Sequence, residues 1–149
     1  MKAIVIPYAD QEKCAWAGEF FPGRSIASLP VCGKPILEYQ LDECAKAGVT
    51  EVLVLDWGYD AALAQRLGDG SRWGLKLTYR GADASLSSAS QEGGINHLAG
   101  FVGGADVRVV RENAVGRHKI DSLAAYFAAN LEILRDPGDL VLPGYSAEA

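Results

Sequence analysis

The sequence predicts an α/β fold, a Rossmann-like parallel sheet layered with helices. Three observations carry that expectation. Short β-branched runs alternate with helical stretches in the order β-α-β-α-β. Glycine or a proline-glycine pair closes each helical stretch where a left-handed cap or a turn belongs. The chain has 149 residues, 49% of them hydrophobic, enough to bury one domain-sized core.

Lys2 to Pro7 reads as a buried first strand that stops at a proline, and its carboxyl end is where a ligand loop begins in such sheets. Periodicity is lost from Tyr8 to Ser28, a long loop with one helical turn near Glu12 to Gly18 and a turn at Pro22-Gly23. Pro35 opens a helix whose Leu37, Leu41 and Cys44 share a face, with Gly48 as its cap. The run "EVLVL", Glu51 to Leu55, is the second strand. Asp60 caps a second helix through Leu67, ended by Gly68. In "LKLTY" the alternation puts Leu75, Leu77 and Tyr79 on one face of a third strand. Ala84 to Gln91 suits a short helix, Gly93-Gly94 and Gly103-Gly104 a loose connection, and "DVRVV" a fourth strand. Asp121 is a natural N-cap for a last helix with a stripe of Leu123, Phe127, Asn130, Leu131 and Leu134, ending before Asp136-Pro137-Gly138. Residues 1–135 are thus one domain and 136–149 a tail, read as a linker to something further.

The charge balance, 19 acidic residues against 14 basic, leaves no broad basic face for a nucleic-acid backbone. No apolar run reaches the roughly 20 residues that span a bilayer, and "MKAIVIPYAD" is too short and acid-ended for a signal peptide. The three cysteines, Cys14, Cys32 and Cys44, lack metal-site spacing and fit a reducing compartment, so the expected location is the cytoplasm.

From Leu29 to Leu55, "LPVCGKPILEYQLDECAKAGVTEVLVL" resembles the sugar-1-phosphate nucleotidyltransferases, whose domain carries L-P-V-x-G-K-P-I-L-E-Y and then A-G-V/I before the second strand. "LGDGSRWGLKLTY", Leu67 to Tyr79, is similar to that family's G-D-G-S-x-F-G stretch. "GADA", Gly81 to Ala84, echoes its G-T-A-x-A turn near base and sugar, and "IDSLAAYFAANLEIL" is similar to the helix that often precedes a left-handed β-helix there. The resemblance implies a shortened, degenerate nucleotidyltransferase fold. It also implies a nucleotide site that includes Lys34, Gly81 and Ala82, and Mg²⁺ as the cofactor to test; Arg24, in a glycine-containing loop at the ligand edge of the sheet, joins that site as a phosphate clamp.

The departures fall where the chemistry belongs. The family's first loop, G-x-G-T-R-L-x-P, gives backbone N–H groups and an arginine to the triphosphate, whereas "YADQEKCAWAGEFFPGRSI" follows the first strand here. Ile26 stands where the family has a phosphate lysine, with Arg24 the nearest cation. The family's Mg²⁺ aspartate after the fourth strand is matched by Glu112 in "VRVVRENAV", and Asp83 is the other metal candidate, since Mg²⁺ is held by carboxylates from separate loops. Most of the family's sugar-binding half has no counterpart.

Each candidate also has an ordinary reading. Arg24 is equally a solvated loop arginine, and Lys34 an exposed residue at a helix start. Asp56 and Asp60 could pair on a cation but equally serve as turn and cap. Asp69 fixes an Asx-type turn. His97 and His118 have no partner motif. Trp16, Phe20 and Phe21 close an emptied pocket, form a partner surface, or stack on a base. Three functions therefore stay open: a catalytically impaired domain binding a nucleotide or nucleotide sugar in a regulatory role, an active nucleotidyltransferase, and a non-catalytic scaffold or oligomerisation module. A homo-oligomer is expected, with neither nucleic acid nor membrane as partner.

Overall fold

The computed structural model describes residues 1–7, 11–56, 59–81 and 106–143. Strand β1 (Lys2–Val5) lies inside a four-stranded sheet whose members all run parallel, in the order β5 (Lys76–Gly81), β4 (Glu51–Asp56), β1, β6 (Val107–Val110). Lys2 stands opposite both Glu51 and Val107, and its ammonium lies 3.6 Å from the Glu51 carboxylate. The continuous apolar run of β1 is explained by burial on both faces. Ala3 and Val5 join Val52 and Val54 under α2 (Ile36–Lys46) and α3 (Ala61–Leu67), while Ile4 packs with Leu53 and Leu55 on the other face. The α/β, Rossmann-like expectation is met, within one or two residues at each strand end.

Helix α2 buries Leu37, Leu41 and Cys44 as its spacing requires, and Gly48 takes the left-handed conformation (φ 84°) just past its end. Ahead of it, Pro30–Val31 (β2) and Lys34–Pro35 (β3) form a small antiparallel hairpin. Its two-residue turn needs positive φ at both central positions, and Cys32 (51°) and Gly33 (84°) supply it. Asn130 fixes the turn: its Oδ1 accepts from the Cys32 backbone N–H at 2.9 Å, and its carbonyl accepts from Cys32 Sγ at 3.4 Å.

Two expectations are corrected. The segment read as a loop with one helical turn contains the ten-residue helix α1 (Gln11–Phe20). Cys14, Trp16 and Ala17 hold it against the last helix, α4 (Leu123–Arg135), where Trp16, Phe21 and Tyr126 form an aromatic trio with ring centres 5.6–6.3 Å apart. These partners lie about a hundred residues apart in sequence, so local periodicity carries no trace of them. Helix α4, in turn, is capped by Ser122, whose Oγ accepts from Ala125 N–H at 3.0 Å, and not by Asp121. Its buried face is Tyr126, Ala129 and Ile133. Phe127, Leu131 and Leu134 of the expected stripe face solvent instead. The expected helix over Ala84 to Gln91 and the glycine pairs after it lie outside the described residues.

The Gly68 to Gly74 turn makes a sharp local prediction. Asp69 Oδ1 accepts from Ser71 N–H at 3.0 Å, the Asx geometry that the spacing suggests, and that hydrogen bond holds its carboxyl below the usual carboxylate range. Gly70 has φ 90°, and a Cβ there would stand 2.6 Å from the Leu75 carbonyl oxygen and 2.7 Å from Leu77 Cβ. Gly70→Ala should destabilise the fold by about 2 kcal/mol, combining left-handed strain with an overpacked contact. Gly74→Ala, at φ 71° with open space around its Cα, should cost about half as much. Urea melts of both variants check the order.

Candidate functional site

The carboxyl ends of parallel strands, where ligands bind such sheets, converge here on the last residue of β4. Asp56 is fully buried, and its Oδ2 accepts from Ser25 Oγ at 2.5 Å and from Tyr79 Oη at 2.6 Å. Ser25 also caps the short 3₁₀ turn Ile26–Ser28, its Oγ accepting from Ala27 N–H at 3.0 Å. Tyr79 Oη accepts from Asp60 N–H at 3.1 Å, and Asp60 Oδ1 caps α3 through Leu63 N–H. One carboxylate thus ties the loop after α1 to β5 and to the start of α3. The earlier pairing of Asp56 with Asp60 on a cation meets a different arrangement: Asp56 takes two hydroxyl donors, and Asp60 is a helix cap.

Between that loop, the hairpin turn and α3 lies an open groove of about 430 Å³. Arg24, Ser28, Gly33, Asp60 and Arg66 are among its lining residues. Arg24 donates to the Ser28 carbonyl at 3.1 Å, which fixes one end of the guanidinium. Arg66 pairs through Nε with Glu38, and Arg72 approaches the same buried carboxylate at 3.3 Å while stacking on Trp73. Arg24 and Arg66 face the groove and Arg72 joins Arg66 on Glu38, so three guanidiniums balance the three carboxylates of Glu38, Asp56 and Asp60. Planar, always charged forks of this kind suit phosphate oxygens.

Beside the groove, Gly81 stands opposite Asp56 in the sheet register, and a Cβ on it would lie 3.3 Å from Tyr59 Cβ. Tyr59 is exposed, its ring centre 4.9 Å from that of Tyr79, so the two rings form a shelf at the strand ends. The sequence reading missed Ser25 and Tyr59. No motif marks either, and only the return of β5 beside β4 gives them a role.

The remaining candidates are placed as follows. Lys34 is buried, its ammonium held by Asp42, by the Val141 carbonyl at 2.7 Å and over the Tyr39 ring, while Asp42 also accepts from Trp73 Nε1 at 2.8 Å. That set of partners gives Lys34 a packing role, in place of the exposed position its helix-start context suggested. Glu112 lines a different cavity, of about 200 Å³, with Gln40, Glu43 and Arg108. Its exposed carboxylate lies 3.5 Å from Lys119, and its carbonyl accepts from Gln40 Nε2 at 2.9 Å. Ala82, Asp83 and His97 lie outside the described residues. His118 Nδ1 lies 3.2 Å from Glu132. Trp16 and Phe21 are absorbed into the core, and Phe20 is exposed. Among the described residues no three His, Cys, Asp or Glu side chains converge on one point. Mg²⁺ is commonly held by one or two carboxylates together with substrate phosphates and water; of its two expected ligands, Glu112 lies at the other cavity and Asp83 lies outside the described residues.

Burial raises the pKa of Tyr39, Tyr79 and Tyr126 above the usual tyrosine value, with the Asp56 carboxylate adding to the shift at Tyr79. A raised folded-state pKa means the stability these phenols contribute is complete below about pH 10 and is lost as pH climbs beyond it. In alkaline titration, phenolate absorbance from these three of the six tyrosines should rise together with loss of far-ultraviolet dichroism. Ionisation of all six before any unfolding would contradict the network.

Comparison with known proteins follows the same outline. No family model matches the chain. It is 44% identical over 52 residues to a glucose-1-phosphate thymidylyltransferase of Actinoplanes sp., covering 34% of this chain and 17% of that protein. It is 31% identical over 104 residues to the low-salt glycan biosynthesis nucleotidyltransferase Agl11 of Haloferax volcanii, covering 66% and 27%. The chain thus spans 17–27% of the length of these curated relatives. A structure from Bacillus anthracis described as a glucose-1-phosphate thymidylyltransferase, in complex with sucrose, superposes with a TM-score of 0.58 at 17% identity. That match covers 74% of this chain and 43% of the other, and it shows a shared fold.

Proposed function

From a chain related, over part of its length, to the sugar-1-phosphate nucleotidyltransferases, we propose a regulatory domain that binds a nucleotide or nucleotide sugar and is impaired in nucleotidyl transfer. One observation carries the reading. The segment that follows β1, where the resemblance puts a glycine-rich phosphate loop, holds helix α1 locked into the core by Trp16 and Ala17, while the adjacent groove keeps Arg24 and Arg66.

Binding and transfer make different demands on such a site. Transfer needs the attacking sugar-phosphate oxygen aligned with the α-phosphorus and the departing pyrophosphate neutralised, mostly by backbone donors, cations and metal. Binding needs only positive charge for the phosphates and a surface for the base. The guanidiniums supply the first, and the exposed ring of Tyr59 beside Gly81 supplies the second. A groove this open, with few cations, holds a nucleotide at micromolar to sub-millimolar Kd.

Calorimetric titration with nucleoside triphosphates, diphosphates and nucleotide sugars, each with and without Mg²⁺, tests the reading. Saturable binding of at least one class, retained when the metal is chelated, is expected. Binding that requires Mg²⁺ would favour the active enzyme, and silence across the panel would favour the scaffold.

A further inference from the structure

Lys34 belongs to the wall of the groove, yet its side chain serves the other side of that wall. Gly33 and Pro35 line the groove, as does Pro30, which pairs with Pro35 across the β2–β3 hairpin. Successive strand residues face opposite ways, and the Lys34 ammonium accordingly meets Asp42, the Tyr39 ring and the Val141 carbonyl behind the wall. Lys34 is only 7% exposed, so each of these partners replaces water that a buried ammonium has lost. Asp42 and Tyr39 are part of α2, whereas Val141 belongs to residues 137–142, which form neither helix nor strand. Few bonds tie that segment down among the described residues. Lys46 donates to the Asp139 carbonyl at 3.3 Å, Leu140 N–H closes a turn on the Pro137 carbonyl at 3.0 Å, and Leu140 and Leu142 pack half-buried against the cluster around Tyr126 and Ile133. A segment held so lightly opens locally well before the domain unfolds.

We propose that residues 137–142 are a clasp that regulates the groove, with Lys34 as the link; its effect on nucleotide affinity rests on the binding role given to the groove above. Closed, the Val141 carbonyl completes the set around Lys34 and holds Gly33 and Pro35 in the wall. Open, the ammonium turns toward water for the partner it has lost, and β3 turns with it. The other ties of the hairpin do not replace this one. Tyr126 Oη donates to the Pro30 carbonyl at 2.5 Å, Tyr39 Oη donates to the Val31 carbonyl at 2.7 Å, and Asn130 holds Cys32, so all of them act on β2 and the turn. Strand β3 is left to its pairing with β2 and to Lys34. Such coupling is reciprocal, so a ligand that favours the closed wall also favours the closed clasp. With one bond to an ammonium as the link, opening should weaken nucleotide binding about tenfold, toward the low end of typical couplings.

Cys32, in the hairpin turn, is a native reporter of the wall, and the buried Cys14 and Cys44 are internal controls for wider opening. Alkylation rates at the three thiols, read by mass spectrometry on the whole native chain, test the clasp without any ligand. The double variant Leu140→Asp, Leu142→Asp should speed alkylation of Cys32 severalfold and leave Cys14 and Cys44 unchanged. Lys46→Ala, which cuts only the exposed tie, should move Cys32 less. Lys34→Met, whose stem keeps its place over the Tyr39 ring, should also speed Cys32, and in that background the leucine substitutions should add less than about twofold, because the link is already cut. Calorimetry with the triphosphates, diphosphates and nucleotide sugars named above should show any that bind the wild type binding the double variant about tenfold more weakly. An unchanged Cys32 rate in the double variant, a rise shared equally by Cys14 and Cys44, full additivity with Lys34→Met, or equal nucleotide affinity in wild type and double variant would overturn the clasp. No binding by the wild type, with the Cys32 response intact, would instead contradict the nucleotide reading of the groove and leave the clasp on the hairpin supported.

Discussion

Asp56→Ala should lower the unfolding free energy by about 3 kcal/mol, the expected cost of leaving the buried Ser25 hydroxyl and the half-buried Tyr79 hydroxyl without their acceptor and opening a void where a carboxylate stood. Ser25 Oγ and Tyr79 Oη both donate to Asp56 Oδ2, Ser25 being buried and Tyr79 half-buried. Asp56→Asn keeps the shape and one acceptor, so about half the loss is expected. Ser25→Ala and Tyr79→Phe each remove one donor and should cost about 1–2 kcal/mol. Their combination should fall short of the sum, because both lean on one oxygen. Urea melts of the series measure this directly. A neutral Asp56→Ala would mean that burying the carboxylate costs as much as its hydrogen bonds return, and the loop after α1 would then be held by its apolar contacts alone.

Arg24→Ala should weaken nucleotide binding at least tenfold, because it removes a charge-assisted contact from a groove with few cations. Arg24→Lys should recover only part of the loss, since an ammonium cannot reproduce the two-pronged geometry. Arg66→Ala is expected to have a smaller effect, its Nε being already committed to Glu38. Stability should change little with Arg24→Ala, which forfeits only the bond to the Ser28 carbonyl. Unaltered affinity in Arg24→Ala would move the phosphate site out of this groove.

What the sequence disclosed follows the range over which each feature is determined. Strand β1, helix α2 with Gly48 behind it, the Asp60 cap and the Asx turn at Asp69 depend on neighbours within a few residues, and all were legible. Helix α4 was legible as a helix but not in its orientation. Both of its sides are apolar, and the choice between them is made by Trp16 and Phe21 from the other end of the chain. Lys34 shows the same limit at a single residue. Its motif points to phosphate, and its partners Asp42 and the Val141 carbonyl are set by helix pitch and by a segment 107 residues away. The site was legible only in outline: the segment after β1 departs in sequence from the glycine-rich loop of the family it resembles, but nothing in its spelling showed that it holds the ten-residue α1 or that Ser25 anchors to Asp56.

Phosphorus NMR of the intact protein with a nucleoside triphosphate, a sugar 1-phosphate and Mg²⁺, followed over hours, reads binding and transfer in one sample. The account predicts shifted and broadened nucleotide phosphate resonances that return to their free positions in Arg24→Ala, with no pyrophosphate signal at any time. Growth of pyrophosphate and nucleotide-sugar resonances in proportion to protein concentration would contradict it, and would show that transfer proceeds without the glycine-rich loop.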